Sequence, residues 1–148
     1  MIEADTTASR CIFCAIAARE AKASVVYADE TVVVFMDLTP VTPGHLLVVP
    51  RKHAVGLEDL DVATSARVWS KGHEMARALR RSGLRCEGIN MFLADGEVAF
   101  QEVFHFHLHV FPRYVGDGFT IGAQWKARER SLLDAEARAI QTALTSAD

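Results

Sequence analysis

The feature that most constrains the fold is the segment HFHLHVF, residues 105–111, in which histidine occupies every second position three times. Side chains of a β-strand alternate between two faces, whereas this spacing in a helix would scatter the three histidines around the axis. The segment therefore predicts a strand with His105, His107 and His109 on one face. The opposite face is apolar and is expected to face the core: Phe104, Phe106, Leu108 and Val110. Pro112 is expected to end the strand, because proline cannot donate to a sheet ladder.

Three histidines on one face need an explanation. The segment by itself leaves three explanations open. One is an ordinary sheet surface with polar residues, which a single histidine would fit better than three. Another is a metal site, because histidine is a frequent metal ligand. The third is an active site in which imidazole acts as an acid, a base or a nucleophile near neutral pH. The strict alternation favours the metal site and the active site over the ordinary surface.

Composition bounds the class of protein. The chain has 148 residues, of which 50% are hydrophobic and 24% are charged, as is typical of one globular domain. A net charge of −3 offers no basic surface for DNA or RNA. The N-terminus has no apolar signal-peptide core, and the apolar runs are too short to span a membrane. We expect a cytoplasmic protein with a flexible N-terminus at 1–10 and a single domain over 11–148.

The remaining pattern predicts an antiparallel α+β fold. Five strands are predicted, over residues 25–29, 31–37, 45–53, 88–95 and 105–111. Helices are predicted over residues 12–20, 61–82 and 131–145. Strands that follow one another through short loops, together with one long helix, are typical of this fold class.

A second motif is CIFC, in which two residues separate Cys11 from Cys14. This spacing occurs in zinc sites and in redox pairs. A redox pair would be expected after a strand of a βαβ unit, which the sequence does not contain. Zinc would need two more ligands, for which the six histidines are candidates. His53 is better placed than His73 in the long helix, but spacing alone does not choose.

Several ordered blocks resemble the histidine-triad (HIT) family. QEVFHFHLHVFPR (101–113) resembles the family signature, in which three histidines alternate with apolar residues. FMDLTPVTPGHLLVVPRKH (35–53) and GINMFLADG (88–96) resemble the preceding family blocks in order and spacing. CIFC, and GDGF with Trp125, resemble the two ends of a bacterial branch. The resemblance covers roughly residues 11–126. It implies a HIT-like fold, with a five-stranded antiparallel sheet that becomes continuous in a homodimer.

The resemblance also implies a nucleotide hydrolase or transferase. His107 would attack the α-phosphate of a purine nucleoside phosphoramidate or a dinucleoside polyphosphate, and would carry the nucleotidyl group covalently until an AMP-type product is released. For Nε2 to attack, Nδ1 must hold its proton and donate to an acceptor such as a backbone carbonyl. His109 would hold phosphate oxygens and assist the leaving group. His45 would contact the phosphate region.

Other implied roles concern the nucleoside and a metal. Asp37 matches the family's ribose-binding acid, although it also suits a turn cap before Thr39 and Pro40. Gln101 matches a family glutamine near the phosphate or the leaving group. The base pocket would comprise Ile12, Phe13, Phe35, Leu38 and Leu47. The zinc ligands would be Cys11, Cys14, His53 and His105, a closed structural Cys₂His₂ set.

Three residues depart from the family pattern. Ala94 replaces an asparagine, so the side-chain hydrogen bond is lost. Phe100 stands where the family usually has a glycine. A glycine there would allow positive φ or close approach of the backbone to phosphate. Glu102 stands where some members have Ser or Thr, and a carboxylate beside a phosphate is unfavourable unless it turns away or acts on a cationic leaving group. Leaving-group selection is expected in the tail at 113–125.

Two alternatives to this mechanism stay open, the first of them because of Ala94 and Phe100. One is a nucleotide-binding module of the same fold with weak turnover. The other is a metal-dependent hydrolase in which His105, His107 and His109 together hold a catalytic metal.

Overall fold

The structure, a computed structural model, describes residues 10–146 of the chain. The expected flexible N-terminus at 1–10 therefore lies outside the described residues, apart from its last member. The elements in chain order are α1 (Ile12–Ala17), β1 (Val25–Ala28), β2 (Val32–Met36), β3 (Leu46–Pro50), α2 (Val62–Arg81), β4 (Gly88–Leu93), a 3₁₀ turn (Glu97–Ala99), β5 (Leu108–Arg113) and α3 (Arg130–Thr145). The strands form one antiparallel sheet in the order β1-β2-β3-β5-β4. The predicted five-stranded antiparallel α+β fold is confirmed.

The long helix α2 covers one face of the sheet. It begins after Asp61, whose carboxylate accepts the backbone N–H of Thr64 at 2.9 Å and so caps the first turn. Its apolar side packs on alternate residues of β2, β3 and β5 to form the larger core. Gly72 lets the helix approach the sheet closely, because a Cβ there would lie 2.6 Å from Cδ2 of Leu108. Among residues 10–146, no helix is long and apolar enough to cross a membrane.

The short helix α1 covers the opposite face. Phe13 and Ile16 pack against Phe35 of β2 and Leu47 of β3. With cover on both faces, β2 and β3 are buried along nearly their whole length, which explains their continuous apolar sequences. The ring of Phe13 also meets the ring of His107 edge-on, with centroids 5.1 Å apart. The imidazoles therefore lie on the α1 face of the sheet, away from the α2 core.

The histidine strand starts later than predicted. β5 begins at Leu108 rather than at His105. The backbone N–H of Phe106 donates instead to the carbonyl of Ala54 in the loop after β3, at 2.7 Å. This bond takes the segment out of the sheet ladder before β5 begins. The expected division of faces still holds, because the α2 core contains Phe106, Leu108 and Val110. Phe104 is only partly buried and lies outside that core.

The end of β5 also differs from the prediction. Pro112 does not stop the strand, which continues to Arg113. β3 pairs with β5 only over residues 108–110, whereas Pro112 pairs with Ile89 of β4. Pro112 thus has a strand partner on one side only, and proline is tolerated where one side of a strand is not paired.

Smaller differences occur at other boundaries. α1 ends at Ala17 rather than at residue 20, and the chain turns at Arg19 with φ of 63°. β4 ends at Leu93, two residues before the predicted end. α3 matches the predicted terminal helix, but none of its residues is buried. The assignment of residues 11–148 to a single domain stays a prediction.

Candidate functional site

Four metal-ligand side chains converge where the start of α1 meets the chain that follows β3. Nδ1 of His105 lies 3.3 Å from Sγ of Cys11 and 3.5 Å from Sγ of Cys14. Nδ1 of His53 lies 3.3 Å from Sγ of Cys14 and 3.2 Å from Nδ1 of His105. A zinc tetrahedron with Zn–N and Zn–S bonds of usual length has edges of about 3.3–3.8 Å. The four predicted ligands are therefore brought together at spacings close to those zinc requires.

The protonation of this cluster also suits a metal. Nε2 of His105 donates to the carbonyl of Pro50 at 2.7 Å, so Nδ1 presents its lone pair to the cluster. Burial lowers the pKa of His105 to about 4, which keeps the ring neutral. Burial, followed by the hydrogen bond and charge of Cys11, raises the pKa of Cys14 to about 11. The Cys14 thiol therefore needs a cation nearby to become a thiolate, and Cys11, Cys14, His53 and His105 form a cluster suited to zinc.

His107 is held as a neutral imidazole. Its Nδ1 donates to the carbonyl of His105 at 2.6 Å, so Nε2 has no proton and keeps its lone pair. Burial lowers the pKa of His107, and the hydrogen bond to His105 offsets only part of this effect. The ring lines a cavity on the α1 face. This is the tautomer that a nucleophilic Nε2 requires, with the expected kind of acceptor on Nδ1.

A chain of hydrogen bonds defines the proton positions on His45 and His109. The backbone N–H of Val41 donates to Nδ1 of His45 at 3.0 Å, so the proton of that ring lies on Nε2. Nε2 of His45 then donates to Nδ1 of His109 at 2.9 Å. The proton of His109 therefore lies on Nε2, as a donor. Burial, and then the neighbouring His107 and His45, lower the pKa of His109 to about 4, so the ring is neutral.

This geometry does not suit the alternative of a catalytic metal held by all three histidines of the triad. His105 belongs to the Cys₂His₂ cluster, and Nδ1 of His107 is used by a carbonyl. Asp37, His45 and His109 also lie close enough to share an ion. However, Nε2 of His45 carries a proton and offers no lone pair. The two nitrogens that face each other there, on His45 and His109, already share a hydrogen bond.

The cavity beside His107 has a volume of about 260 Å³ and contains the whole predicted base pocket. Its apolar lining includes Ile12, Phe13, Phe35, Leu38 and Leu47. Asp37 also lines this cavity, and it forms the anticipated turn cap. Oδ1 accepts the backbone N–H of Thr39 at 2.8 Å, which is the turn cap. Oδ2 lies 3.5 Å from Nε2 of His45, on the side of the imidazoles.

Gln101 lies apart from this group. Its amide nitrogen donates to the carbonyl of Val55 at 2.7 Å, and its amide oxygen accepts the N–H of Gly96 at 2.8 Å. The side chain is buried and lines neither cavity beside the histidines. In this geometry Gln101 ties the loop before β5 to the loop after β3, and does not face a phosphate.

Sequence reasoning missed a second cavity of about 620 Å³ beyond His109. Phe92 and Phe111 contribute to its wall. Phe92 is the register partner of His109 across β4 and β5, and Phe111 lies two residues after His109 on the same strand. Alternation on β5, extended to its neighbouring strand, is the signal that would have predicted both.

Comparison with known proteins agrees with these features. The HIT domain profile matches residues 18–116. An uncharacterised HIT-like protein of Mycobacterium tuberculosis is 37% identical over 138 residues, 93% of this chain and 95% of the relative. The crystal structure of a zinc-bound histidine-triad family protein of Mycobacterium smegmatis is 39% identical, with TM-score 0.73 over 96% of this chain and 100% of that one. A HIT family protein of Bacillus anthracis is 37% identical, with TM-score 0.82 over 93% and 99%. The chain belongs to the histidine-triad family.

Proposed function

We propose that this protein is a nucleotide hydrolase or transferase in which His107 attacks the α-phosphate of a purine nucleoside phosphoramidate or a dinucleoside polyphosphate. One observation carries the proposal. Nδ1 of His107 is committed to the carbonyl of His105 at 2.6 Å, which leaves an unprotonated Nε2 on a ring that lines a nucleoside-sized cavity. The donor Nε2–H of His109 lies on the neighbouring ring, with centroids 4.8 Å apart.

The reaction follows from these two protonation states. The lone pair on Nε2 of His107 forms a bond to phosphorus, and the bond to the leaving group breaks with its electron pair on the departing atom. That atom takes up a proton from solvent, while Nε2–H of His109 stabilises the charge that develops on the phosphoryl oxygens. Water then adds to phosphorus and loses a proton to solvent. The P–N electron pair returns to His107, and an AMP-type product leaves.

The cavity supports a purine nucleoside at this site. Its apolar walls suit the base, and Asp37 at the rim suits the ribose hydroxyls as an acceptor. The Cys₂His₂ cluster would hold a structural zinc that fixes the backbone of His105, the acceptor for His107. The zinc-bound relative from Mycobacterium smegmatis supports zinc as the metal.

We also propose a cytoplasmic homodimer. In the described chain, β4 pairs with β5 on one side only. An open antiparallel edge of this kind can extend a sheet into a second copy. Sedimentation analysis that finds only monomers at micromolar concentration would refute the dimer.

The test of function measures turnover of adenosine 5′-phosphoramidate and of diadenosine tetraphosphate. His107→Ala should lower turnover at least about 10³-fold, as expected for loss of a nucleophile, and should retain the zinc. His73→Ala is the matched control, since this exposed histidine lies on α2, away from the cavity. Intact mass after an alkaline denaturing quench, which preserves the P–N bond, should show one nucleotidyl group on the wild type and none on His107→Ala.

Two results would contradict the enzyme. Equal turnover by the wild type and His107→Ala would exclude the nucleophile. No turnover together with tight AMP binding would favour the nucleotide-binding module. One observation favours that module. Ala94, which stands where the family pattern has an asparagine, is buried and offers no side-chain hydrogen bond.

A further inference from the structure

The two cavities beside the triad meet at His109. Both are lined by Asp37, Phe100, Glu102 and His109, but only the smaller one contains His107 and the apolar base pocket. The nucleoside and the leaving group are bonded to the same phosphorus. If the smaller cavity holds the nucleoside, as proposed above, the leaving group must extend into the larger cavity beyond His109.

The larger cavity has an unusual combination of walls for a site that receives phosphate esters. Its aromatic wall comprises Phe92, Phe100, Phe111 and Phe119. Its ionic groups are the carboxylates of Asp37 and Glu102, and no lysine or arginine is among the described residues that line it. Its two imidazoles, on His45 and His109, are neutral because of the hydrogen-bond chain that begins at Val41. The cavity is therefore aromatic and anionic.

Glu102 is the carboxylate in this wall that remains available to a ligand. Asp37 already accepts from Thr39 and faces His45. Glu102 is exposed, and within residues 10–146 it forms no hydrogen bond or ion pair. A cation that entered the cavity would therefore meet an uncompensated charge on Glu102. An anion would meet the same charge with no positive side chain to offset it.

Phe100 adds an aromatic surface at an energetic cost. It has φ of 75°, a left-handed conformation that costs a non-glycine residue on the order of 1 kcal/mol. Its ring is 77% exposed, so burial in the core does not offset that cost. The position follows the 3₁₀ turn, where the N–H of Phe100 donates to the carbonyl of Glu97 at 2.9 Å, and glycine would satisfy this backbone without strain. An exposed aromatic ring held there between two cavities is suited to contact a ligand.

We propose that Phe100 and Glu102 are specificity-determining residues that select a cationic or aromatic amine as the leaving group and exclude an anionic one. The inference rests on the proposed function and narrows its substrate to phosphoramidates of such amines. The P–N bond breaks with its electron pair on the amine nitrogen, which takes up one proton from solvent as it leaves and a second to become an ammonium ion. Glu102 attracts that positive charge, and the ring of Phe100 contributes a cation–π contact.

The experiment compares kcat/KM for four AMP derivatives that differ in their leaving group. Three are phosphoramidates of a diamine, of an arylethylamine and of an amino acid with a free carboxylate, and the fourth is diadenosine tetraphosphate. The wild type should prefer the diamine over the carboxylate derivative about tenfold or more at low salt, and the preference should fall as ionic strength rises. A role of Glu102 confined to folding would produce no such dependence on salt.

Three variants isolate the two side chains. Glu102→Gln should reduce the preference for the diamine about two- to fivefold, the range expected for an exposed charge. Glu97→Gln changes net charge equally on the same loop but outside both cavities, and should leave the preference unchanged. Phe100→Gly should reduce kcat/KM for the arylethylamine derivative more than for the diamine derivative, although it relieves the backbone.

The outcomes separate this inference from the proposed function. Turnover that depends on His107 but shows no preference by charge would overturn the inference alone. A Glu97→Gln variant that changes the preference as much as Glu102→Gln would also overturn it. Absence of turnover with all four substrates would overturn both proposals.

Discussion

Removal of zinc should lower the stability of the protein without unfolding it at room temperature. The Cys₂His₂ cluster joins the start of α1, the chain after β3 and the segment before β5, through Cys11, His53 and His105. None of these ligands belongs to the buried apolar clusters on the two faces of the sheet. Only Cys11, which is partly buried, packs against one of them. The metal therefore adds to a core that already exists, unlike the metal of a zinc finger.

The magnitude follows from mass action. If free zinc exceeds its dissociation constant about 1,000-fold, binding stabilises the native state by about 4 kcal/mol. For a domain of this size, each kcal/mol corresponds to about 2–4 °C in Tm. Chelation should therefore lower Tm by about 8–16 °C, and added zinc should restore it.

Thermal unfolding followed by circular dichroism, with metal content by mass spectrometry, provides the assay. The wild type should carry one zinc per chain and show the chelator-dependent shift. Cys11→Ala with Cys14→Ala should lack zinc and show a low Tm that chelator does not change. Cys86→Ala is the matched control, because Cys86 lies outside the cluster and should leave the shift intact. A wild-type Tm that chelation does not change would refute the reasoning, as would a stoichiometric zinc in the double variant.

Two further predictions concern the fold. In Gly72→Ala the new Cβ would lie 2.6 Å from Cδ2 of Leu108, an overpacking cost of about 1–3 kcal/mol. The gain in helix propensity offsets about 1 kcal/mol, so the variant should be less stable than the wild type by up to about 2 kcal/mol. Ser70→Ala, on the exposed side of the same helix, should be neutral or slightly stabilising, and urea midpoints that place both variants alike would contradict the close approach. Burial raises the pKa of Asp29, but two backbone N–H groups, Arg67 and a tyrosine hydroxyl outweigh it, so the pKa lies below its usual value. Because the pKa of Asp29 is lower in the folded state, the ionised carboxylate stabilises the fold fully above the unfolded pKa of about 4, and this stabilisation is lost as the pH falls further. Acid titrations should therefore find Asp29→Asn less stable than the wild type at pH 6, and the difference in stability should shrink towards pH 2.

Local periodicity was sufficient to predict the faces of the histidine segment. Phe106, Leu108 and Val110 do lie in the α2 core, because successive side chains of an extended chain must alternate whatever the rest of the protein does. Helical periodicity likewise predicted α2 to within one residue of each end, since its apolar spacing is a property of the local chain.

The boundaries of β5 could not be predicted in this way. They depend on a carbonyl of Ala54 that accepts the N–H of Phe106, and on a neighbouring strand that pairs only as far as Val110. Hydrogen-bond partners this distant in sequence are chosen by the assembled sheet. Gln101 illustrates the same limit, since its amide is used by Val55 and Gly96, which no motif indicates.

The candidate site divides along the same line. The residue types and their order, from Cys11 to His109, are properties of the sequence. Their resemblance to the HIT family indicated the Cys₂His₂ cluster and the residues around His107, but placed Gln101 with them, whereas the structure does not. The tertiary structure decided how each imidazole is protonated. A carbonyl two residues away sets the proton of His107, and a backbone N–H four residues earlier in the same loop sets that of His45. The proton of His109 is set by His45, which is distant in sequence and is brought to it by the sheet. The identity of a side chain is local, but its tautomer depends on the partner that folding places against it.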